Sequence, residues 1–245
     1  MNWPDGYGFA RYRELDSTNE EARRLARDGA QGPVWISAAR QTAGRGRQGR
    51  VWQSLDGNLF ATLLIRPSRG DSEWPQLSFA AAIAAADMAA GFAPEAHIAV
   101  KWPNDVLGNG RKLAGILLER VAGPGGIADG ALAIGIGVNL AHHPDGTEFP
   151  AISLASLGVS PPGPDQALTA LAAHFAKWYD QWQVQGFAGL REAWLARAAG
   201  LGAQVRARLA QEERVGVVEG IDDSGALLLN EGGTVRVISA GEVFF

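Results

Sequence analysis

Between Asp28 and Asp56 the chain carries no acidic residue, yet Arg40, Arg45, Arg47 and Arg50 all fall there, the last three interleaved with Gly44, Gly46 and Gly49. Clustered guanidinium groups resist burial, and three glycines oppose a regular helix or strand through their backbone freedom. Arg40 to Gly57 is therefore expected to be an exposed loop. Val34 to Ala39 before it alternates like a strand, and Leu59 to Ile65 after it is an apolar run typical of a buried strand. This placement decides how Gly44–Gly49 is read. The segment fits GxGxxG, but a dinucleotide-binding loop must open a helix whose N-terminus holds the pyrophosphate. Here it leads to another strand. No GxxxxGK[ST] loop is present either.

The window between the two aspartates carries +4 in a chain whose net charge is −4, so the rest of the 245 residues carries −8. One cationic cluster on an acidic protein suits a small polyanion better than a nucleic-acid duplex. Two unit charges about 10 Å apart in water repel by roughly 0.4 kcal/mol. The loop is therefore expected to be mobile until an anion orders it through charge-assisted contacts. The absence of cysteine removes disulfides, thiolate metal sites and a cysteine nucleophile. The four histidines show no HExxH spacing, so no protein-held metal is expected. The N-terminal residues lack the apolar core of a signal peptide, and no apolar run reaches the length of a membrane span. A cytoplasmic protein with no membrane partner is the expectation.

The remaining pattern is α/β. Ser17 and Thr18 each have a glutamate three residues on, the capping-box spacing, which predicts a helix from there to about Gly29. Trp74 to Phe92 reads as an alanine-rich helix, and His97 to Lys101 as a short strand. Pro103 and Asn104 then place Asp105 in a turn. Leu113 to Glu119 and Ala131 to Val138 read as strands joined by a glycine-rich hairpin. Leu168, Leu171, Phe175, Trp178 and Trp182 form one apolar stripe within a helix from Asp165 to Gly186, and a further helix follows near Gly189 to Ala199. After Gly200, five short strand-like segments alternate with turn residues and suggest a small β-barrel. The expected division is 1–199, a mixed β-sheet with flanking helices, and 200–245, the β appendage.

Only three of the 22 basic residues are lysines, and two of them, Lys101 and Lys112, flank Asn104 and Asp105 in one short stretch. A compact ammonium serves where a planar fork does not. Gly115, Gly135 and Gly137 interrupt apolar strands, at about 0.5–1 kcal/mol each relative to alanine. Such glycines mark close approach of a ligand or of neighbouring atoms, or a bulge. Asn139 ends the second of these strands.

With these pieces in order, Asp16–Asn19, Gln41–Arg50 with Trp52, Lys101–Asp105, Lys112–Leu117 and Gly135–Asn139, the sequence resembles the bacterial biotin protein ligases. The resemblance implies a catalytic domain like that of class II aminoacyl-tRNA synthetases, followed by an SH3-like domain. It implies ATP and biotin as substrates, Mg²⁺, and a biotin carboxyl carrier domain as protein partner. It is compatible with a monomer or a homodimer. Carried over by position, Ser17, Thr18, Asn19, Gln41, Arg45, Gly46, Arg47, Lys112, Gly115, Gly135 and Gly137 would surround biotin. Arg50, Trp52, Lys101, Asn104, Asp105 and Asn139 would serve the nucleotide. Arg47, Lys112 and Asp105 would be catalytic, with Asp105 assisting deprotonation of the incoming lysine. Gln48 departs from the basic residue often found there. With 15 residues before Asp16, no helix-turn-helix and no DNA binding are expected.

Two other readings remain open: a lipoate ligase or octanoyl transferase of the same fold class, and an RNA-binding adaptor using the arginine–glycine segment. If an anionic ligand orders that segment, biotin should protect residues 40–57 against limited proteolysis. Equal cutting with and without biotin would contradict the ordering.

Overall fold

The computed structural model describes residues 2–245, apart from the side chains of residues 127–129. Strand β1 (Gly8–Leu15), helix α1 (Thr18–Arg27) and strand β2 (Val34–Gln41) form a βαβ unit, with β1 parallel to β2. The sequence reading missed β1, because only alternate residues of this edge strand face protein and its charged residues mask the pattern. Strand β3 (Leu59–Ile65) returns antiparallel to β2. After helix α2 (Leu77–Phe92) come β4 (Ile98–Lys101), β5 (Asp105–Gly108), β6 (Arg111–Gly123) and β7 (Gly126–Val138). The seven-stranded mixed sheet has the order β1-β2-β3-β7-β6-β5-β4. The expected hairpin is the long β6–β7 pair.

Three expectations need local correction. Helix α2 starts at Leu77 rather than Trp74; Asp71–Gln76, which contains Pro75, forms a 3-10 turn ahead of it. Asp105 does not sit in a turn but opens β5, opposite Lys101 of β4. The capping box at α1 is not formed: Ser17 occupies the N-cap without a side-chain cap bond. Instead, the Thr18 hydroxyl reaches Gln41, while Glu20 pairs with Arg45 and Glu21 with Arg24. Thr18 and Glu20 thus take tertiary partners, and Glu21 a partner one turn along the same helix, in place of helix-end amides.

Each face of the sheet is covered. On one face α1 packs Ala22 and Ala26 on Ile36, Leu64, Val121, Ala131 and Ala133. On the other lies the larger core under α2 and helix α3 (Pro164–Gln185). In α2 nearly every side is buried, and its alanines allow close approach to both sheet and α3. All five residues of the predicted α3 stripe are buried. The two indole N–H groups on it find acceptors: Trp178 donates to Asp87 at 2.8 Å and Trp182 to Gln76 at 2.7 Å. Gly186, at φ +69°, turns the chain into α4 (Phe187–Leu195).

Strands β8 (Gln204–Arg208), β9 (Glu213–Ile221), β10 (Leu227–Glu231), β11 (Thr234–Ile238) and β12 (Glu242–Phe244) form a second, antiparallel sheet in the order β11-β10-β9-β8-β12. Its ties to the rest of the chain include bonds from buried or half-buried donors on β4, on the turn after it and on α4. Lys101 Nζ donates to Val243 O at 3.1 Å, Trp102 Nε1 to Gly225 O at 3.0 Å, and Arg191 Nε to Ile221 O at 2.8 Å.

Trp182 is completely buried between α3 and the core. Trp182→Ala should lower the unfolding free energy by about 3–5 kcal/mol, as deletion of a large buried aromatic does. Urea unfolding followed by circular dichroism measures it, and a loss under about 1 kcal/mol would show that α3 is not anchored through this residue.

Candidate active site

A cavity of about 280 Å³ opens where β3, β6 and β7 meet the start of α1, and every site residue expected from the sequence lines it. Its floor is made of strand residues with little or no side chain, and the glycines explain how. A Cβ on Gly137 would lie 2.6 Å from Trp52 Cζ2, and one on Gly115 would lie 3.0 Å from Trp52 Cζ3. A Cβ on Gly135 would lie 3.0 Å from Asn19 Cγ. The three glycines thus make room for the Trp52 ring and the Asn19 amide, and those two side chains shape the floor.

The arginine–glycine segment folds over this floor. Gly46 N donates to Arg50 O at 2.7 Å and Trp52 N to Gly44 O at 3.0 Å, which closes a hairpin-like flap. A Cβ on Gly44 would lie 2.7 Å from the Trp52 carbonyl, so that closure needs glycine. Gln48 sits at the tip with φ +55°. The flap arginines do not simply repel one another. Arg45 pairs with Glu20 of α1, Arg50 with Glu242 of β12, and Arg40 lies 3.6 Å from Glu14 of β1. Arg47 differs. Among the described residues it has no acidic partner within ion-pair distance; its Nη1 donates to Asn104 Oδ1 at 3.2 Å. Burial is the main influence on its guanidinium and lowers its pKa, with Asp105 acting the other way. A half-buried cation held by a neutral amide leaves capacity for an anion.

The cavity has two chemically distinct ends. At one end, Thr18 N and Thr18 Oγ1 both donate to Gln41 Oε1, at 2.8 and 3.1 Å. These are neutral donors and acceptors. At the other, the Asp105 carboxylate lies between two ammonium groups, 2.6 Å from Lys112 Nζ and 3.2 Å from Lys101 Nζ. Burial alone would raise the Asp105 pKa, but the two lysines outweigh it and the carboxyl is held below its usual value. Asp105 is consequently a weak proton acceptor near neutral pH. Burial pushes the Lys101 pKa down, opposed by Asp105. With Arg47 added, this end carries more positive than negative charge.

Two expected nucleotide-binding amides are largely spent on the protein. Asn104 Nδ2 donates to Ile116 O at 2.6 Å while its Oδ1 holds Arg47. Asn139 Nδ2 donates to Ile152 O at 3.1 Å and to Lys112 O at 3.4 Å, and so fixes the backbone that carries Lys112. The lining residues not expected from the sequence include Thr147, Glu148, Phe149, Glu242 and Phe244. The Phe149 ring centre lies 3.9 Å from Lys101 Nζ. Glu242 and Phe244 come from the second sheet, and no local pattern could have placed them here. Among the described residues no three histidine or acidic side chains gather into a metal cluster.

Because Asp105 and Lys101 are both buried, Asp105→Asn should leave two ammonium groups without their carboxylate and cost about 3–5 kcal/mol. Urea unfolding at neutral pH tests this, and an unchanged midpoint would show that the lysines are solvated rather than held.

The chain as a whole is similar to known proteins. Residues 12–139 match the Biotin/lipoate A/B protein ligase family, and residues 200–245 match the Biotin protein ligase C terminal domain. A biotin–[acetyl-CoA-carboxylase] ligase of Paracoccus denitrificans is 48% identical over 94% of this chain and 97% of its own. The bifunctional ligase/repressor BirA of Bacillus subtilis is 34% identical over 94% of this chain, which spans 71% of that protein. Among solved structures, the biotin protein ligase of Aquifex aeolicus in complex with biotin and ATP has the same fold, with a TM-score of 0.83, 24% identity and 97% of each chain covered. Identity to the Paracoccus ligase across nearly the whole of both chains, with both sheets accounted for, shows that this chain belongs to the biotin protein ligases.

Proposed function

We propose that the protein activates biotin with ATP to biotinyl-5′-AMP and transfers the biotinyl group to a lysine of a biotin carboxyl carrier domain. The observation that carries this is one cavity with a neutral hydrogen-bonding end at Thr18 and Gln41 and a cationic end at Lys101, Lys112 and Arg47. Biotin has matching polarity: a neutral ureido ring needing donors and acceptors, an apolar chain, and a carboxylate. Gly115, Gly137 and Trp52 would floor the ring and chain. Ser17, Asn19, Gly46 and Arg45 would close around the ring.

In the first step a biotin carboxylate oxygen bonds to the α-phosphorus, and the bond to the bridging oxygen breaks. Pyrophosphate leaves with that electron pair. Two anions must approach, so preorganised cations dominate the catalysis. Lys112 and Arg47 are assigned to the carboxylate and α-phosphate, and Lys101 with Arg50 to the remaining phosphates. Asn104 and Asn139 serve mainly by holding Arg47 and Lys112. In the second step the neutral carrier amine bonds to the acyl carbon, the acyl carbon–phosphate oxygen bond breaks, AMP leaves with that electron pair, and the amine's proton passes to solvent. With its low pKa, Asp105 acts in this scheme chiefly by fixing two ammonium groups rather than as the base. Closure of the flap would keep water from the mixed anhydride. Magnesium enters as part of the MgATP substrate. The protein's own donors do not fit a resident ion, since the inner carboxylate already faces two lysines.

The same proposal reads 1–199 as the catalytic domain and 200–245 as a second domain that contributes the cavity mouth through Glu242 and Phe244.

Two measurements test the proposal. Supplied with biotin and MgATP, the protein should release pyrophosphate and label an apo carrier domain with biotin in preference to lipoate. Labelling by lipoate alone would overturn the reading. Arg47→Ala should slow adenylate formation by about 10²-fold or more, as loss of a preorganised charge does. Unchanged pyrophosphate release would show that Arg47 does not neutralise the reacting anions.

A further inference from the structure

Thr62 is the one polar residue of β3, whose seven residues are all buried, and it is itself wholly inaccessible. It lies beneath the neutral end of the cavity without lining it. Its Oγ1 is 2.6 Å from Asn19 Oδ1 and 2.8 Å from Thr18 Oγ1. Asn19 Nδ2 in turn donates to Glu119 Oε2 at 2.7 Å, and Arg23 Nη2 donates to Glu119 Oε1 at 3.2 Å. Glu119, on β6, is also absent from the cavity lining. One chain of polar contacts thus runs from Arg23 at the surface through Glu119, Asn19 and Thr62 to Thr18.

The direction of every proton in this chain follows from the first acceptor. An ionised Glu119 only accepts, so Asn19 must turn its NH₂ toward it and its carbonyl toward Thr62. A carbonyl cannot donate, so the single Thr62 proton goes to Asn19. Thr62 then has none left for Thr18. Gln41 Oε1, held by the Thr18 backbone N–H, is likewise an acceptor. The one Thr18 hydroxyl proton is therefore committed inside the protein, to Thr62 Oγ1 or to Gln41 Oε1. What Thr18 offers the cavity is lone pairs alone. Gln41, with its oxygen engaged, has its NH₂ as the group left to donate.

We infer that Glu119 and Thr62 are positioning residues that set the hydrogen-bond polarity of the ring subsite: acceptor at Thr18, donor at Gln41. This rests on the ligase reading above and sharpens it. The site selects a ring that presents an N–H to Thr18 and a carbonyl to Gln41, and it disfavours an isosteric ring with an oxygen in place of that N–H. Gly135 belongs to the device, because a side chain there would displace the Asn19 amide.

The test compares biotin with the two cyclic carbamate analogues in each of which oxygen replaces one ureido N–H. The readout is kcat/KM for pyrophosphate release. The full-length protein should prefer biotin over the poorer carbamate by about tenfold or more, as a mismatched buried polar pair implies. In Thr62→Val the Thr18 hydroxyl loses the nearer of its two internal partners and keeps only the 3.1 Å contact to Gln41 Oε1, so it can turn to donate at lower cost and that preference should fall to within about threefold. Glu119→Gln, which no longer dictates the Asn19 orientation, should also reduce it. Thr62→Ser keeps the hydroxyl and should keep the preference. A merely structural role would depress both substrates equally and leave their ratio at the wild-type value; that result in Thr62→Val and Glu119→Gln overturns the inference. Absence of biotin-dependent pyrophosphate release from the wild-type protein would instead overturn the ligase reading itself.

Discussion

The Asp105 carboxylate, buried between the ammonium groups of Lys101 and Lys112, is the interaction on which the site depends. Three charges in a poorly solvated place are stable only because opposite signs alternate at hydrogen-bond distance. Each member comes from a different strand. Lys101 ends β4, Asp105 opens β5 and Lys112 lies at the start of β6. Lys101, besides pairing with Asp105, donates to Val243 of the second sheet. Charge pairing, strand order and the seating of the C-terminal domain are thus coupled at one point. The net positive remainder, increased by Arg47, is what an anionic substrate meets.

The flap works on the opposite principle. Arg45 and Arg50 are about half exposed, and ion pairs of such exposed groups with Glu20 and Glu242 are individually weak. Weak pairs hold the flap near the cavity without fixing it there irreversibly. Among the described residues Arg47 has the Asn104 amide and no acidic side chain as partner, and in the proposed function it meets the ligand. The neutral end is different again, for there the groups that orient Thr18 and Asn19 lie behind the cavity wall. A carboxylate that never lines the pocket dictates which side chain donates and which accepts.

A good part of this was legible in the sequence because it is local. The β3 run, the α3 stripe, the hairpin joining β6 and β7 and the five C-terminal strands follow from periodicity and turn residues. The flap followed from charge density and glycine content. What failed was equally physical. Ser17 and Thr18 carry the spacing of a helix cap, but Ser17 makes no cap bond and the Thr18 hydroxyl takes the tertiary acceptor Gln41 instead. Strand β1 hides among charged residues because it lies at the sheet edge. Asp105 looked like a turn acid because Pro103 and Asn104 precede it, and only pairing with β4 and β6 makes it a strand residue.

By itself the sequence determined the helices, the flap and the strands other than β1 and β5, and that cationic, amide and glycine positions recur in the order of a ligase family. Those properties depend on residues near one another in the chain. Only the tertiary structure decided that the glycines clear space for Trp52 and Asn19, and that Asn104 and Asn139 spend their amides holding Arg47 and Lys112. It also decided that Glu242 and Phe244 close a cavity built from strands far earlier in the chain. The reason is that contact distance, burial and proton direction depend on which strands become neighbours, and that order emerges only when the sheet is assembled.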